Sequence, residues 1–255
     1  MTDGKGRTID YLRVSVTDRC NLRCVYCMPA QGVEPEPYEN LLTLEEITRV
    51  CAAAARLGIS KIKVTGGEPL VRKGCTQLVG MLKAIPGIRE VTMTTNGVLL
   101  PRELPALVEN GLDAVNISLD TLDPERFLAL TRCPLEANVR EAIGQEVKAG
   151  VKVKVNAIPI EEYNGGGLAQ LAELAKDQPV DVRFIELMPI GEGKNLTPIP
   201  GQEVRRRLEA AHGPMTPWEG KRGNGPAVYY SLPGFVGKIG FISAISQEFC
   251  GSCNR

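Results

Sequence analysis

The chain has 255 residues, with thirty Lys and Arg against thirty Asp and Glu. A formal net charge of zero, 24% charged and 43% hydrophobic residues exclude a bulk polyanion binder and wholesale disorder. No run of about 18 apolar residues suggests a membrane span, and MTDGKGRTID lacks the apolar stretch of a secretory signal. A cytoplasmic protein without membrane or nucleic-acid partners is therefore expected.

In chain order, β-like runs alternate with helical stretches. Tyr11–Val16 is followed by Thr43–Leu57, Lys61–Val64 by Thr76–Ala84, and Val91–Thr95 by Arg102–Asn110. Ala114–Leu119 leads to Leu135–Ala149, Val151–Ala157 to Leu168–Lys176, and Asp181–Ile185 to Gln202–Ala211. Thr43 before Glu45 and Glu46, and Gly58, Gly111 and Gly150 after last turns, are helix end signals. The remainder, rich in Gly and Pro, predicts a hairpin (Val228–Leu232, Phe235–Phe241) and a cysteine-bearing tail. Such alternation predicts an α/β fold of βαβ units with a parallel sheet.

The strands also alternate across their two faces. Arg13, Ser15 and Thr17 oppose Leu12, Val14 and Val16; Lys61, Lys63 and Thr65 oppose Ile62 and Val64. Asn116, Ser118 and Asp120 share a face, as do Thr92, Thr94 and Asn96, and Lys152, Lys154 and Asn156. Fully covered parallel strands are usually apolar on both faces. One polar face points to a barrel with outer helices and a polar, liganded lumen. An antiparallel sheet with one solvated face and an open doubly wound sheet are the alternatives. The run at Asp181 departs from the pattern, since Phe184 and Glu186 share a face. Arg13, Lys61, Lys63 and Lys154 on lumen faces predict an anionic ligand, because unpaired buried cations are costly.

The strongest chemical signal is Cys20-x3-Cys24-x2-Cys27, directly after the first strand. Cytosolic thiols stay reduced, so a metal explains them better than disulfides. Three thiolates suit a soft centre. A structural zinc knuckle needs a fourth ligand, and none is nearby. An iron–sulfur cubane held by three thiolates keeps one iron open to another ligand. The chain has one histidine, His212, too few for an imidazole-centred site. Cys51, Cys75 and Cys133 lack spaced partners, Arg205-Arg206-Arg207 reads as a solvated helix face, and Trp218 carries no signal.

The cysteine triplet, with Tyr26 inside it, resembles the signature of radical S-adenosylmethionine (SAM) enzymes. Thr65-Gly66-Gly67-Glu68-Pro69 is similar to their GGEP motif. Six further segments are more specific: Arg13-Val-Ser-Val-Thr-Asp18, Thr94-Thr-Asn-Gly97, Asn116-Ile-Ser118-Leu-Asp120, Lys154-Val-Asn156, Arg183-Phe-Ile-Glu186-Leu-Met188 and Phe249-Cys250-Gly-Ser-Cys253-Asn-Arg255. Together they resemble the GTP 3′,8-cyclase family. That resemblance implies a partial (βα)6 TIM-type barrel over residues 1–212, with an extension, 213–255, carrying a second cysteine motif. It implies conversion of GTP to (8S)-3′,8-cyclo-7,8-dihydroguanosine 5′-triphosphate, the first step of molybdenum cofactor biosynthesis. It implies SAM and two [4Fe–4S] clusters, the first on Cys20, Cys24 and Cys27. The second would use Cys250, Cys253 and, in the family, a third cysteine further along; the 255 residues hold only the first two. Tyr26, Gly67, Ser118 and Met188 match SAM contacts. Arg13, Lys63, Thr94, Lys154 and Arg255 match GTP contacts, with Lys63 standing where arginine is common. Implied partners are a reductant such as flavodoxin or ferredoxin, the next pathway enzyme, cyclic pyranopterin monophosphate synthase, and a second copy in a homodimer. Another radical SAM enzyme, such as a peptide-modifying maturase, and a non-enzymatic metal-binding module are the alternative readings.

Overall fold

The structure is a computed structural model, and it describes every residue except 1, 5, 221, 248–250, 252 and 255. Six parallel strands run in sequence order: β1 Tyr11–Ser15, β2 Lys61–Thr65, β3 Glu90–Thr95, β4 Ala114–Ser118, β5 Lys152–Ala157 and β6 Val180–Ile185. Among the described residues eight α-helices accompany them: α1 Leu44–Arg56, α2 Cys75–Lys83, α3 Leu100–Glu109, α4 Pro124–Thr131, α5 Glu136–Lys148, α6 Glu161–Asn164, α7 Leu168–Ala172 and α8 Gly201–His212. The expected alternation is thus present, and the result is a partial TIM-type barrel. Among the described residues no helix is long and apolar enough to cross a membrane.

The two strand faces explain the layers. Ile62, Val64, Val115, Ile117, Val153 and Val155 are buried in one core with Leu78, Leu82, Leu107 and Ile143 of the helices. The opposite faces line a cavity. Thr43 caps α1 through a reciprocal pair: its Oγ1 accepts from the Glu46 amide at 3.2 Å, and its own amide donates to Glu46 Oε2 at 2.8 Å.

Several elements escape the sequence reading. Helix α4 was not expected, although Asp123 caps it through the Glu125 and Arg126 amides, and Pro124 opens it. The stretch expected as one helix over Leu168–Lys176 is α7 followed by a 3-10 turn at Glu173–Ala175. The 213–255 region adds β7 Thr216–Trp218, β8 Val228–Ser231 and β9 Ile239–Ile242 to the same sheet. Strand β8 pairs antiparallel with β7 and β9, whereas β9 lies parallel to β6. The second hairpin strand starts later than Phe235. Its would-be first residues bond elsewhere: the Val236 amide donates to Lys176 O and the Gly237 amide to Ala175 O. A Cβ at Gly237 would lie 1.8 Å from Val180 O, so only glycine fits this crossing.

One core residue gives a stability prediction. Glu146 of α5 is fully buried, and neither of its carboxylate oxygens has a hydrogen-bond partner among the described residues. Burial pushes its pKa up to about 7. Below the ordinary carboxylate pKa both folded and unfolded chains hold the proton, and no penalty arises. As pH rises toward 7 the unfolded chain loses the proton first, so native stability falls, then levels off above 7. Glu146→Gln is expected to match the parent near pH 4 and to exceed it by up to about 3 kcal/mol at pH 8. Urea unfolding at both pH values checks this; an unchanged difference between the two would contradict it.

Candidate active site in the barrel lumen

The cysteine triplet lies on the loop between β1 and α1, at the C-terminal ends of the strands, where barrel enzymes place their chemistry. The loop is pinned from several sides. The Arg23 amide donates to Thr131 O at 3.0 Å and the Val25 amide to Leu130 O at 2.9 Å, fixing it to the end of α4. The Cys27 and Met28 amides both donate to Cys24 O, at 2.9 and 3.0 Å, which curls the loop around Cys24. From the turn after β2, the Gly67 amide donates to Thr17 O at 2.6 Å and the Glu68 amide to Arg19 O at 2.8 Å.

The glycine pair has a steric cause. A Cβ on Gly67 would lie 2.4 Å from Arg19 O and 2.5 Å from Asp18 O, both backbone atoms that cannot swing away. Gly67→Ala is therefore expected to push the cysteine loop outward and destabilise the fold by roughly 1–3 kcal/mol. It should also lower cluster occupancy after reconstitution. Unchanged iron content and an unchanged unfolding midpoint would contradict the expectation. Glu68 is buried beside the pair. Burial raises its pKa, while hydrogen bonds from the Asn96 and Leu70 amides and Thr95 Oγ1 counter that rise.

Cys20 and Cys24 are half-buried and Cys27 is exposed. Burial pushes all three thiols up, Cys24 most clearly, with the Asp120 carboxylate adding to its rise. Such thiols stay protonated until a cationic group compensates them, as a metal does outright. The Leu22 amide points at Cys20 Sγ at 3.4 Å and Asn96 Nδ2 at 3.9 Å, donors of the kind that tune cluster sulfurs. Among the described residues, no three His, Cys, Asp or Glu side chains gather around a single-ion site. The donor set, all sulfur and spread along a curled loop, fits a polynuclear iron–sulfur group.

Beneath the loop, Tyr26 OH donates to Asp120 Oδ2 at 2.7 Å, and Asp120 Oδ1 accepts from the Ile158 amide at 2.7 Å. Asn164 Nδ2 donates to Asp120 O and Ile158 O, both at 2.9 Å. Burial lifts Asp120 to about 6 against these donors. This network ties the cysteine loop to the ends of β4 and β5.

The lumen is a cavity of about 1310 Å³. Arg13, Lys63, Thr94, Lys154 and Ser118 line it, as the face alternation of their strands requires, and Tyr26 and Met188 line it from loops. Gly67 packs behind the cysteine loop instead. Arg183 also lines the lumen, held by Asn156 Oδ1 at 2.9 Å, so β6 shares the polar face despite its apolar neighbours. Lys61 is paired with Asp10 at 2.7 Å, and Arg222 with Asp181 at 2.6 Å. Among the described residues, Arg13, Lys63, Lys154 and Arg183 form no ion pair. Burial, then Arg183, Lys154 and Arg13, lower Lys63 to about 7; burial and Arg183 lower Lys154 to about 8. Lys154 Nζ rests on Arg222 O at 2.7 Å. A cluster of four like charges in one pocket is a site for a polyanion.

Cys250 and Arg255 lie outside the described residues. Cys253 is half-buried, and its neighbour Asn254 donates to Asp10 Oδ1 at 2.7 Å, bringing the tail under the start of β1. The sequence reading missed Glu90, Trp218, Gly220 and the run from Arg222 to Pro226, which line the lumen. Only tertiary pairing reveals them, since Asn224 Nδ2 meets Glu90 Oε2 at 2.8 Å across 134 residues.

Residues 14–175 match the radical SAM superfamily, and 180–255 match the C-terminal family of molybdenum cofactor synthesis. GTP 3′,8-cyclase of Clostridium perfringens (strain 13 / Type A) is 46% identical over the whole chain, which covers 79% of that relative. GTP 3′,8-cyclase of Pelotomaculum thermopropionicum is 47% identical, again over the whole chain and 80% of the relative. Streptococcus suis SuiB, solved bound to S-adenosylmethionine, superposes with a TM-score of 0.66 at 18% identity, over 80% of this chain and 47% of that one, a likeness of fold alone. A lumen with four cations that form no ion pair among the described residues, beneath a three-cysteine loop, on a sequence this close to those relatives, leaves one assignment: the chain belongs to the GTP 3′,8-cyclase family of radical SAM enzymes.

Proposed function

We propose that the chain converts GTP to (8S)-3′,8-cyclo-7,8-dihydroguanosine 5′-triphosphate, opening molybdenum cofactor biosynthesis. The observation that carries this reading is the set of four lumen cations, Arg13, Lys63, Lys154 and Arg183, which form no ion pair among the described residues and share one cavity with Tyr26 of the cysteine loop. Cys20, Cys24 and Cys27 would hold a [4Fe–4S] cluster. When bound, the cluster supplies the electron that cleaves SAM and so begins hydrogen abstraction from the substrate.

The protein's own work is binding and orientation. Tyr26, Gly67, Ser118 and Met188 hold SAM in this reading, with Asp120 fixing the Tyr26 hydroxyl. Arg13, Lys63, Thr94 and Lys154 hold the nucleotide, joined by Arg255. Residues 1–212 act as the barrel, and 213–255 bring Cys250 and Cys253 to a second cluster. A low-potential donor such as flavodoxin or ferredoxin supplies electrons, and cyclic pyranopterin monophosphate synthase takes the product. The enzyme works in the cytoplasm as a homodimer. The test is anaerobic incubation of reconstituted enzyme with SAM, dithionite and GTP. A new nucleotide isobaric with GTP, formed alongside 5′-deoxyadenosine, is the expected result. SAM cleavage with GTP recovered unchanged would overturn the reading.

A further inference from the structure

We propose that Arg132 is a positioning residue: its guanidinium closes the turn that carries Cys24 and Cys27, so that these thiols are arranged before an iron–sulfur group binds them. The inference rests on the reading of Cys20, Cys24 and Cys27 as cluster ligands.

Among the described residues, Arg132 is the only one other than glycine with a positive φ, 58°. It is the C-cap of α4, in the left-handed region with ψ 27°, and its amide donates to Leu128 O at 2.8 Å. Glycine takes such a cap position at the least conformational cost, because a Cβ crowds the backbone there. Arginine holds it against a local penalty, and strain of this kind persists where the surrounding structure fixes it. What arginine offers that glycine lacks is the guanidinium.

That group reaches the cysteine loop. Its Nη1 donates to Arg23 O at 2.6 Å and to Met28 O at 3.3 Å. The two carbonyls stand just before Cys24 and just after Cys27, so one nitrogen joins both ends of the segment 23–28. Within the segment, the Cys27 and Met28 amides turn back to Cys24 O. The contact with α4 is reciprocal. Leu130 O and Thr131 O accept from the Val25 and Arg23 amides, which satisfies carbonyls that a helix end leaves unpaired. Arg132 supplies the return bonds. The start of the loop is held separately, since Arg23 Nη1 donates to Cys20 O at 2.7 Å and to Leu22 O at 2.8 Å. Cys27 is the exposed member of the triplet. Its placement therefore depends on this turn more than on burial.

Two variants separate the loop contact from the helix end. Arg132→Gly removes the strain and the guanidinium together, whereas Arg132→Ala removes the guanidinium and keeps the strain. R132G should unfold at a higher urea concentration than R132A. Both should nevertheless lose the SAM-responsive spectral signal of the reconstituted enzyme to an iron chelator roughly tenfold faster than the parent, the lower end of what outer-shell partners of metal ligands contribute. Signal loss that follows the unfolding midpoints, or that is as slow as in the parent, would mean that Arg132 only caps α4, and the inference would fall alone. A parent with no SAM-responsive signal would overturn the inference together with the cluster assignment.

Discussion

Cys24→Ser is expected to abolish SAM cleavage and the spectral response of the cluster to SAM. Of the three thiols, Cys24 sits at the centre of the curled loop, and two amides donate to its carbonyl. The loop cannot readily offer a substitute, because the flanking Arg23 and Val25 amides are locked to α4. Cys51 and Cys75 are buried in the core on α1 and α2. A serine hydroxyl is a hard, neutral ligand where a soft thiolate is needed. Losing an outer-shell partner of a metal ligand costs 10–100-fold in occupancy or activity, so losing the ligand itself should cost at least about a hundredfold. Quantifying 5′-deoxyadenosine from SAM under dithionite decides the matter. Undiminished cleavage by the serine variant would contradict the cluster assignment.

Lys63→Ala should weaken GTP binding by roughly ten- to a hundredfold, the cost of a charge-assisted hydrogen bond worth about 1.5–3 kcal/mol. The pH dependence is the sharper test. Without nucleotide, burial and three neighbouring cations hold Lys63 near 7. A bound triphosphate favours the charged form, so binding above pH 7 takes up a proton. GTP affinity should therefore be fullest below 7 and fall as pH rises toward 9, by up to tenfold per unit, with Lys154 contributing above about 8. Lys63→Arg, always charged and able to form a bidentate fork, should keep affinity and flatten the dependence. Calorimetry in buffers of different ionisation enthalpy counts the protons. An affinity that is constant from pH 7.5 to 9 in the parent would exclude this role for Lys63.

The polar lumen was legible because alternation along a strand is a local property. Arg13, Lys63, Thr94 and Lys154 could be assigned to one face from spacing of two, and the structure gathers them in one cavity. The cysteine loop was legible for the same reason, since its three thiols lie within eight residues. Strand β7 was not, because three residues containing a proline, Thr216–Trp218, hold no period to read. Nor was the register that turns β9 back against β6, which depends on Gly237 passing under Val180. Helix α4 offered a cap signal at Asp123-Pro124, but its eight residues are too few for a clear apolar stripe. The partners of Tyr26, Glu68 and Glu90 are fixed by contacts 27 to 134 residues apart, which no spacing rule reaches.

The central claim is that the lumen presents the ribose of GTP to the chemistry of the cysteine loop. The most direct measurement uses GTP deuterated at C3′ with anaerobically reconstituted enzyme, SAM and dithionite, followed by mass analysis of the 5′-deoxyadenosine. Deuterium carried into 5′-deoxyadenosine, and lost in the Lys63→Ala variant at the same GTP concentration, is the predicted result. Unlabelled 5′-deoxyadenosine formed while labelled GTP is bound would contradict the account.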